Sequence, residues 1–158
     1  MDSHDLYGEH FQPILENDEI LRRFSLDDTF VRHTRELRDA TGIVLVYPDW
    51  WGMPPAMMKG WIDRIFRPGI AYEYEGGDFT EKVKRPLLKG KKVLLVTTTN
   101  ETNPLSQEAM SSIWRDRIFG YVGITDVTLR VLYGLRESTG LQRREWLSEL
   151  EELAHRWL

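Results

Sequence analysis

The sequence predicts an α/β fold built on a parallel sheet, and three observations carry that reading. Gly42–Tyr47 (GIVLVY) and Lys92–Thr97 (KVLLVT) are continuous apolar, β-branched runs rather than alternating ones. Such runs suit strands covered on both faces, as in a parallel sheet. The stretches around them carry apolar residues at helical spacing, and strand–helix alternation implies right-handed crossovers.

Each element follows from local signals. Asp27 or Asp28 can cap a helix with Phe30, Thr34, Leu37 and Ala40 on one face, and Gly42 offers a left-handed stop before the first strand. Pro54 and Pro55 suit a first helical turn, after which Met57, Met58, Trp61, Ile62 and Ile65 recur until Arg67-Pro68-Gly69 ends the run. Ser106 can open a third helix with Met110, Ile113, Trp114, Ile118 and Tyr121 as its stripe, stopped by Gly123. Val127–Tyr133 is a weaker strand, interrupted by Arg130, and fits a sheet edge. A closing helix from about Ser138 carries Leu141, Trp146, Leu147, Leu150, Leu153, Trp157 and Leu158, and reads as a core-facing lid. With 158 residues and no repeat or linker, one domain over 1–158 is expected.

Composition narrows the function. A net charge of −4 and no basic run longer than Lys89-Gly90-Lys91-Lys92 leave little footprint for nucleic acid. Zero cysteines exclude disulfides, thiolate catalysis and Cys-ligated metal, and no metal site is assigned. No apolar run approaches the ~20 residues of a membrane span, and Met1-Asp2-Ser3-His4 lacks a signal peptide's order. A cytoplasmic enzyme without membrane insertion is expected.

In parallel sheets ligands bind beyond the carboxyl ends of strands. The two strand ends here are also the oddest stretches of the chain. Pro48-Asp49-Trp50-Trp51-Gly52-Met53-Pro54-Pro55 places adjacent tryptophans in a rigid loop, which suits stacking on a flat heteroaromatic ligand or packing beneath the loop or at a subunit interface. Thr97-Thr98-Thr99-Asn100-Glu101-Thr102-Asn103-Pro104 supplies hydroxyl and amide groups that can bond the polar edge of such a ring or form a turn capping the next helix.

The stretch from Tyr47 through Trp50-Trp51-Gly52, then Pro55-Ala56-Met57-Met58-Lys59-Gly60-Trp61, then Ala71-Tyr72-Glu73-Tyr74 resembles the signature of the flavodoxin-like NAD(P)H:quinone oxidoreductases. Asp5-Leu6-Tyr7 resembles a further segment of that family, and the likeness covers most of the chain. It implies a flavodoxin-like three-layer α/β fold and a flavin cofactor, FMN or FAD, with NAD(P)H as co-substrate and a quinone as two-electron acceptor. By position, Pro48, Asp49, Trp50, Trp51 and Gly52 would line one side of the isoalloxazine ring, with Thr97, Thr98, Thr99 and Asn100 on the other. Tyr72 and Tyr74 would border the pocket where nicotinamide and quinone alternate. The family also implies a homodimer. None of His4, His10, His33 and His155 falls near the second loop, so no acid or base residue is assigned.

Members of that family begin with a strand, a phosphate-gripping loop and a helix ahead of their Asp-Leu-Tyr segment. The present sequence starts at that segment. The usual first, central strand is therefore expected to be missing, leaving the strand at Ile43 without one neighbour. The replacement would be the His4–Tyr7 segment, another subunit, or simply a smaller sheet; alternatively the natural product is longer and this sequence starts at an internal methionine. Flavin affinity should fall by whatever phosphate contacts contribute, which keeps a second reading open: a cofactor-free ancillary or regulatory subunit.

Overall fold

A computed structural model describes residues 2–22, 25–74, 84–102 and 106–155; the expectations for Asn103, Pro104, Trp157 and Leu158 fall outside them. In chain order the elements are α1 (Asn17–Arg22), α2 (Asp28–Asp39), β1 (Gly42–Pro48), α3 (Ala56–Ile65), β2 (Tyr72–Tyr74), β3 (Lys84–Pro86), β4 (Lys92–Thr98), α4 (Ser106–Ser112), β5 (Asp126–Leu132) and α5 (Gly140–His155). β1, β4 and β5 form a parallel sheet in the order β1-β4-β5, while β2 and β3 make a separate antiparallel ribbon. The register pairs Gly42 with Lys92, Pro48 with Thr98 and Lys92 with Asp126. β5 lies at the edge, as its interrupted pattern predicts.

The main core lies on one face, where Phe30 and Leu37 of α2, Trp61, Ile62 and Ile65 of α3, and Met110 and Trp114 of the next helix meet the strands. On the other face Trp146 and Leu150 of α5 pack on Leu94, Val96 and Leu132. Helices, sheet and helix thus form three layers. β4 is buried on both faces, as its continuous run predicts. β1 has an equally continuous run yet is covered on one face only: Ile43, Leu45 and Tyr47 are buried, whereas Val44 and Val46 are 49% and 65% exposed. α5 packs farther along the sheet. It also has no buried residue of its own and leaves Leu141 and Leu147 exposed, so it is a partial cover rather than a core-facing lid.

Among the described residues β1 is the other sheet edge. The Thr41 carbonyl accepts from the Lys92 N–H and the Asp49 N–H donates to the Thr98 carbonyl, both across to β4. Strand alternation therefore turns the backbone groups of Gly42, Val44 and Val46 toward the open side. The His4–Tyr7 segment does not pair with this edge. It turns back on itself and is clasped to α2, with His4 Nδ1 2.8 Å from Glu9 Oε1 and His4 Nε2 2.7 Å from Glu36 Oε2.

The helix ends follow local chemistry. Asp27 Oδ1 accepts from the N–H groups of Thr29 and Phe30, capping α2. Its other end does not stop on a left-handed glycine: Ala40 is extended, Gly42 already belongs to β1, and Lys91 Nζ donates to the carbonyls of Arg38 and Ala40. A cation at a helix C-terminus satisfies the same orphan carbonyls. α4 widens into a π-helix over Ile113–Phe119 before a 3-10 turn, and Gly123 stops it at φ 89°.

A buried charge cluster joins the first segments to α3. Arg64 donates to Glu19, to Asp27 Oδ2 at 3.1 Å and to the Gln12 carbonyl at 2.6 Å, with Arg64 and Glu19 both inaccessible. Burial alone would raise the Glu19 pKa, yet hydrogen bonds headed by Arg64 hold it below the ordinary carboxylate value. Arg67 donates to the Glu19 carbonyl and lies over the Phe30 ring. Removing one member of a buried pair strands the other. Arg64→Ala is expected to cost about 3–5 kcal/mol in chemical denaturation, and a loss below about 1 kcal/mol would show that Glu19 finds water instead.

Candidate functional site

The register that sets Pro48 opposite Thr98 brings the two odd loops together at the carboxyl end of the sheet. The Asp49 N–H donates to the Thr98 carbonyl at 2.8 Å, and Thr99 Oγ1 donates to Asp49 Oδ2 at 3.2 Å. Thr99 Oγ1 also accepts from the Glu101 N–H at 3.1 Å, so one hydroxyl ties both lips and shapes the second turn.

The first lip is a tight hairpin. Trp50 and Met53 exchange backbone hydrogen bonds of 2.9 and 3.1 Å, and between them Trp51 and Gly52 both take left-handed conformations, φ 61° and 77°. That is the geometry of a two-residue primed turn, natural for glycine and costly for tryptophan. The Trp51 side chain is fully exposed and Trp50 half exposed. Among the described residues the N–H groups of Trp51 and Gly52 have no protein acceptor, and a Cβ on Gly52 would meet nothing within 4 Å. The lip therefore offers flat apolar surface, two unused amides and open space.

The second lip is less uniform than its sequence. Thr98 is partly buried and Asn100 exposed, its Oδ1 accepting from the Arg136 N–H at 3.3 Å. Thr97 points into the core, fully buried, and its hydroxyl has no well-formed hydrogen bond among the described residues. The side chain of Thr97 thus lies behind the lip.

A third segment, not foreseen from the sequence, closes the rim. The Thr99 N–H donates to the Leu132 carbonyl, the Leu135 N–H to the Thr99 carbonyl and the Gly134 N–H to the Glu101 carbonyl, all within 3.1 Å. Gly134 sits at φ 62°. Its position directly after the Val127–Tyr133 run was the available signal.

Tyr72 and Tyr74 are elsewhere. α3 starts beyond the carboxyl end of β1 and runs back, so β2 lies toward the amino ends of the strands. There the Gly69 carbonyl accepts from Arg38 at the last turn of α2, and the Leu88 N–H donates to the Val122 carbonyl. Tyr72 meets the rings of Tyr74 and Tyr121 edge-on at 5.7 and 5.0 Å. Tyr121 was read only as part of a helix stripe, and burial together with its tyrosine neighbours raises its pKa to about 12.

His4, Glu9 and His33 carry the spacing of a metal site. The Trp61 indole N–H donates to His33 Nδ1 at 2.8 Å, and an indole nitrogen can only donate. Neutral His33 therefore holds its proton on Nε2, which faces Glu9 Oε2 at 2.9 Å, and offers a metal no lone pair. Burial keeps His33 below its ordinary pKa and so neutral.

Tyr47, behind the lips at the end of β1, is buried and donates to Met110 Sδ. Burial raises its pKa to about 12. The unfolded chain ionises this phenol near pH 10 and the folded chain does not, so stability is intact below pH 10 and falls between about pH 10 and 12. Tyr47→Phe is expected to flatten that alkaline loss in denaturation midpoints, and an unchanged slope would place the effect on other tyrosines.

Comparison with known proteins defines the setting. Over 130 residues the chain is 28% identical to the FMN-dependent NADH:quinone oxidoreductase 1 of Jannaschia sp., covering 82% of this chain and 64% of the relative. It is 29% identical over 130 residues to an uncharacterized NAD(P)H oxidoreductase of Haemophilus influenzae, covering 78% and 62%. It spans less than two thirds of either. The NAD(P)H:quinone oxidoreductase structure from Methanothermobacter marburgensis superposes with a TM-score of 0.74 at 24% identity, over 92% of this chain and 76% of that one. The family model described as flavodoxin-like fold matches residues 1–154. With this match and a parallel sheet flanked by helices, the chain belongs to the flavodoxin-like fold family.

Proposed function

We propose that this chain carries the ring-binding part of a cytoplasmic flavin-dependent oxidoreductase that passes reducing equivalents from NAD(P)H to a quinone. The observation that supports it most is the joining of the Pro48–Gly52 and Thr97–Asn100 segments into one rim through Asp49, Thr98 and Thr99. The names of the relatives point the same way. The residues fit a flavin, FMN or FAD: Trp50 and Trp51 supply flat surface, and the amides of Trp51 and Gly52 supply donors for the oxygens on the ring's polar edge. The exposed Asn100 side chain stands on the facing lip, and Asp49 and Thr99 hold the spacing. A bound flavin supplies the two-electron chemistry between the nicotinamide and the acceptor. The protein's part is to bind, orient and exclude water. No helix among the described residues is long and apolar enough to cross a membrane.

The placement of Tyr72 and Tyr74 supports a homodimer. Within one copy they lie toward the opposite end of the sheet from the rim, so they border a substrate pocket only if a second copy supplies them, with Tyr121 alongside. Two measurements test the proposal. Because ring contacts dominate the rim, riboflavin and FMN are expected to quench with dissociation constants within about threefold of each other, both weakened at least about tenfold by Trp51→Ala. Binding of neither up to millimolar concentration would sink the proposal. Mixing Trp50→Ala/Trp51→Ala with Tyr72→Ala/Tyr74→Ala protein is expected to restore NADH:quinone turnover to about a quarter of the native sites, the yield of random exchange into heterodimers with one intact site. No recovery despite subunit exchange would exclude shared sites.

A further inference from the structure

The chain carries a net charge of −4, yet the third segment of the rim is basic: residues 134–144 hold Arg136, Arg143 and Arg144 against Glu137 alone. The segment is also fastened to the second lip. The Leu135 N–H donates to the Thr99 carbonyl and the Gly134 N–H to the Glu101 carbonyl, while Asn100 Oδ1 accepts from the Arg136 N–H at 3.3 Å. Arg143 braces it from α5, donating from Nε to Ser138 Oγ at 2.8 Å and from Nη2 to the Leu135 carbonyl at 3.1 Å. The backbone of Arg136 is thus held beside Asn100 at the carboxyl end of the sheet.

Its side chain is uncommitted. Arg136 is exposed, and among the described residues its guanidinium meets no carboxylate or carbonyl, whereas Arg130 on the preceding strand pairs with Glu149. The acids close by in the segment and its partner lip are Glu137 and Glu101, both exposed, and neither pairs with it. A guanidinium presents a planar fork that matches the oxygens of a phosphate, and a second cation on the same segment raises the local potential for an anion. Of the molecules that the proposed reaction brings to the rim, the quinone carries no phosphate, whereas the pyridine dinucleotide carries a pyrophosphate beyond its nicotinamide. A flavin nucleotide carries phosphate too. An exposed guanidinium, however, gives a modest and salt-sensitive hold, which suits a ligand that arrives and departs in each turnover better than one that stays.

We propose that Arg136 recognises the pyrophosphate of the pyridine dinucleotide, and so distinguishes the reductant from the quinone that alternates with it. This rests on the flavin-dependent reading given above.

The test uses the full chain, with Arg136→Gln and Arg136→Lys as variants. Calorimetry with ADP-ribose, which has the pyrophosphate but no nicotinamide, reads the contact without any flavin. The expected result is binding by the native chain that Arg136→Gln weakens at least about tenfold, and Arg136→Lys weakens less because it keeps the charge while losing the fork. With flavin bound, Arg136→Gln is expected to raise the KM for NADH at least about tenfold relative to the KM for N-benzyl-1,4-dihydronicotinamide, a hydride donor without phosphate. Equal ADP-ribose affinity in the native and Arg136→Gln proteins would overturn the proposal. Weakening of FMN but not of ADP-ribose would give the phosphate to the flavin and overturn it as well. Failure of riboflavin to bind the native chain would instead sink the flavin reading, and the ADP-ribose titration would still decide the role of Arg136.

Discussion

The parallel pairing of β1 with β4, in the register that sets Pro48 against Thr98, is the constraint on which the rest of the molecule turns. β4 is buried on both faces and cannot shift without exposing Val93 to Thr97, so β1 is fixed against it. A slip of one residue would send Ile43, Leu45 and Tyr47 to the bare side and Val44 and Val46 into the core. It would also part Asp49 from Thr98 and Thr99. Core packing and the shape of the rim are therefore one decision, made by the same seven residue pairs.

Away from the rim, the chain before β1 is held mainly by polar contacts. Arg64 gathers Gln12, Glu19 and Asp27, while Glu9 collects Arg32, His33 and His4. These groups lock because each has several partners, and Phe11 adds an apolar anchor between them. Gly60 allows the closest approach: a Cβ there would lie 2.4 Å from the Pro13 carbonyl oxygen. The helix that follows the tryptophan hairpin is thus braced by residues about fifty positions earlier.

Much of this was legible in the sequence. The β-branched runs fixed β1 and β4, Asp27 announced the cap of α2, and the tryptophan and threonine stretches marked the two lips. The remainder depends on neighbours that a local pattern does not encode. The run at Ile43 to Tyr47 looks as buried as that at Val93 to Thr97, yet α5 packs on the second and leaves Val44 and Val46 of the first exposed. Thr97, Thr98 and Thr99 are alike as letters, yet the first is buried in the core and the third, just past the end of β4, reaches across to Asp49. The ending of α2 on Lys91 is a contact across fifty-odd residues, beyond any capping rule. The placement of Tyr72 and Tyr74 follows from the direction of α3, a matter of topology.

Trp51 occupies a backbone conformation that glycine or asparagine adopts more cheaply, by about 1–3 kcal/mol, and its indole gains nothing from the fold because it stands wholly in solvent. Selection for thermal resilience alone would discard it early. Any effort to harden this protein by directed evolution accordingly meets a conflict at a single codon, where the most stabilising exchange also erases the broadest aromatic surface on the rim.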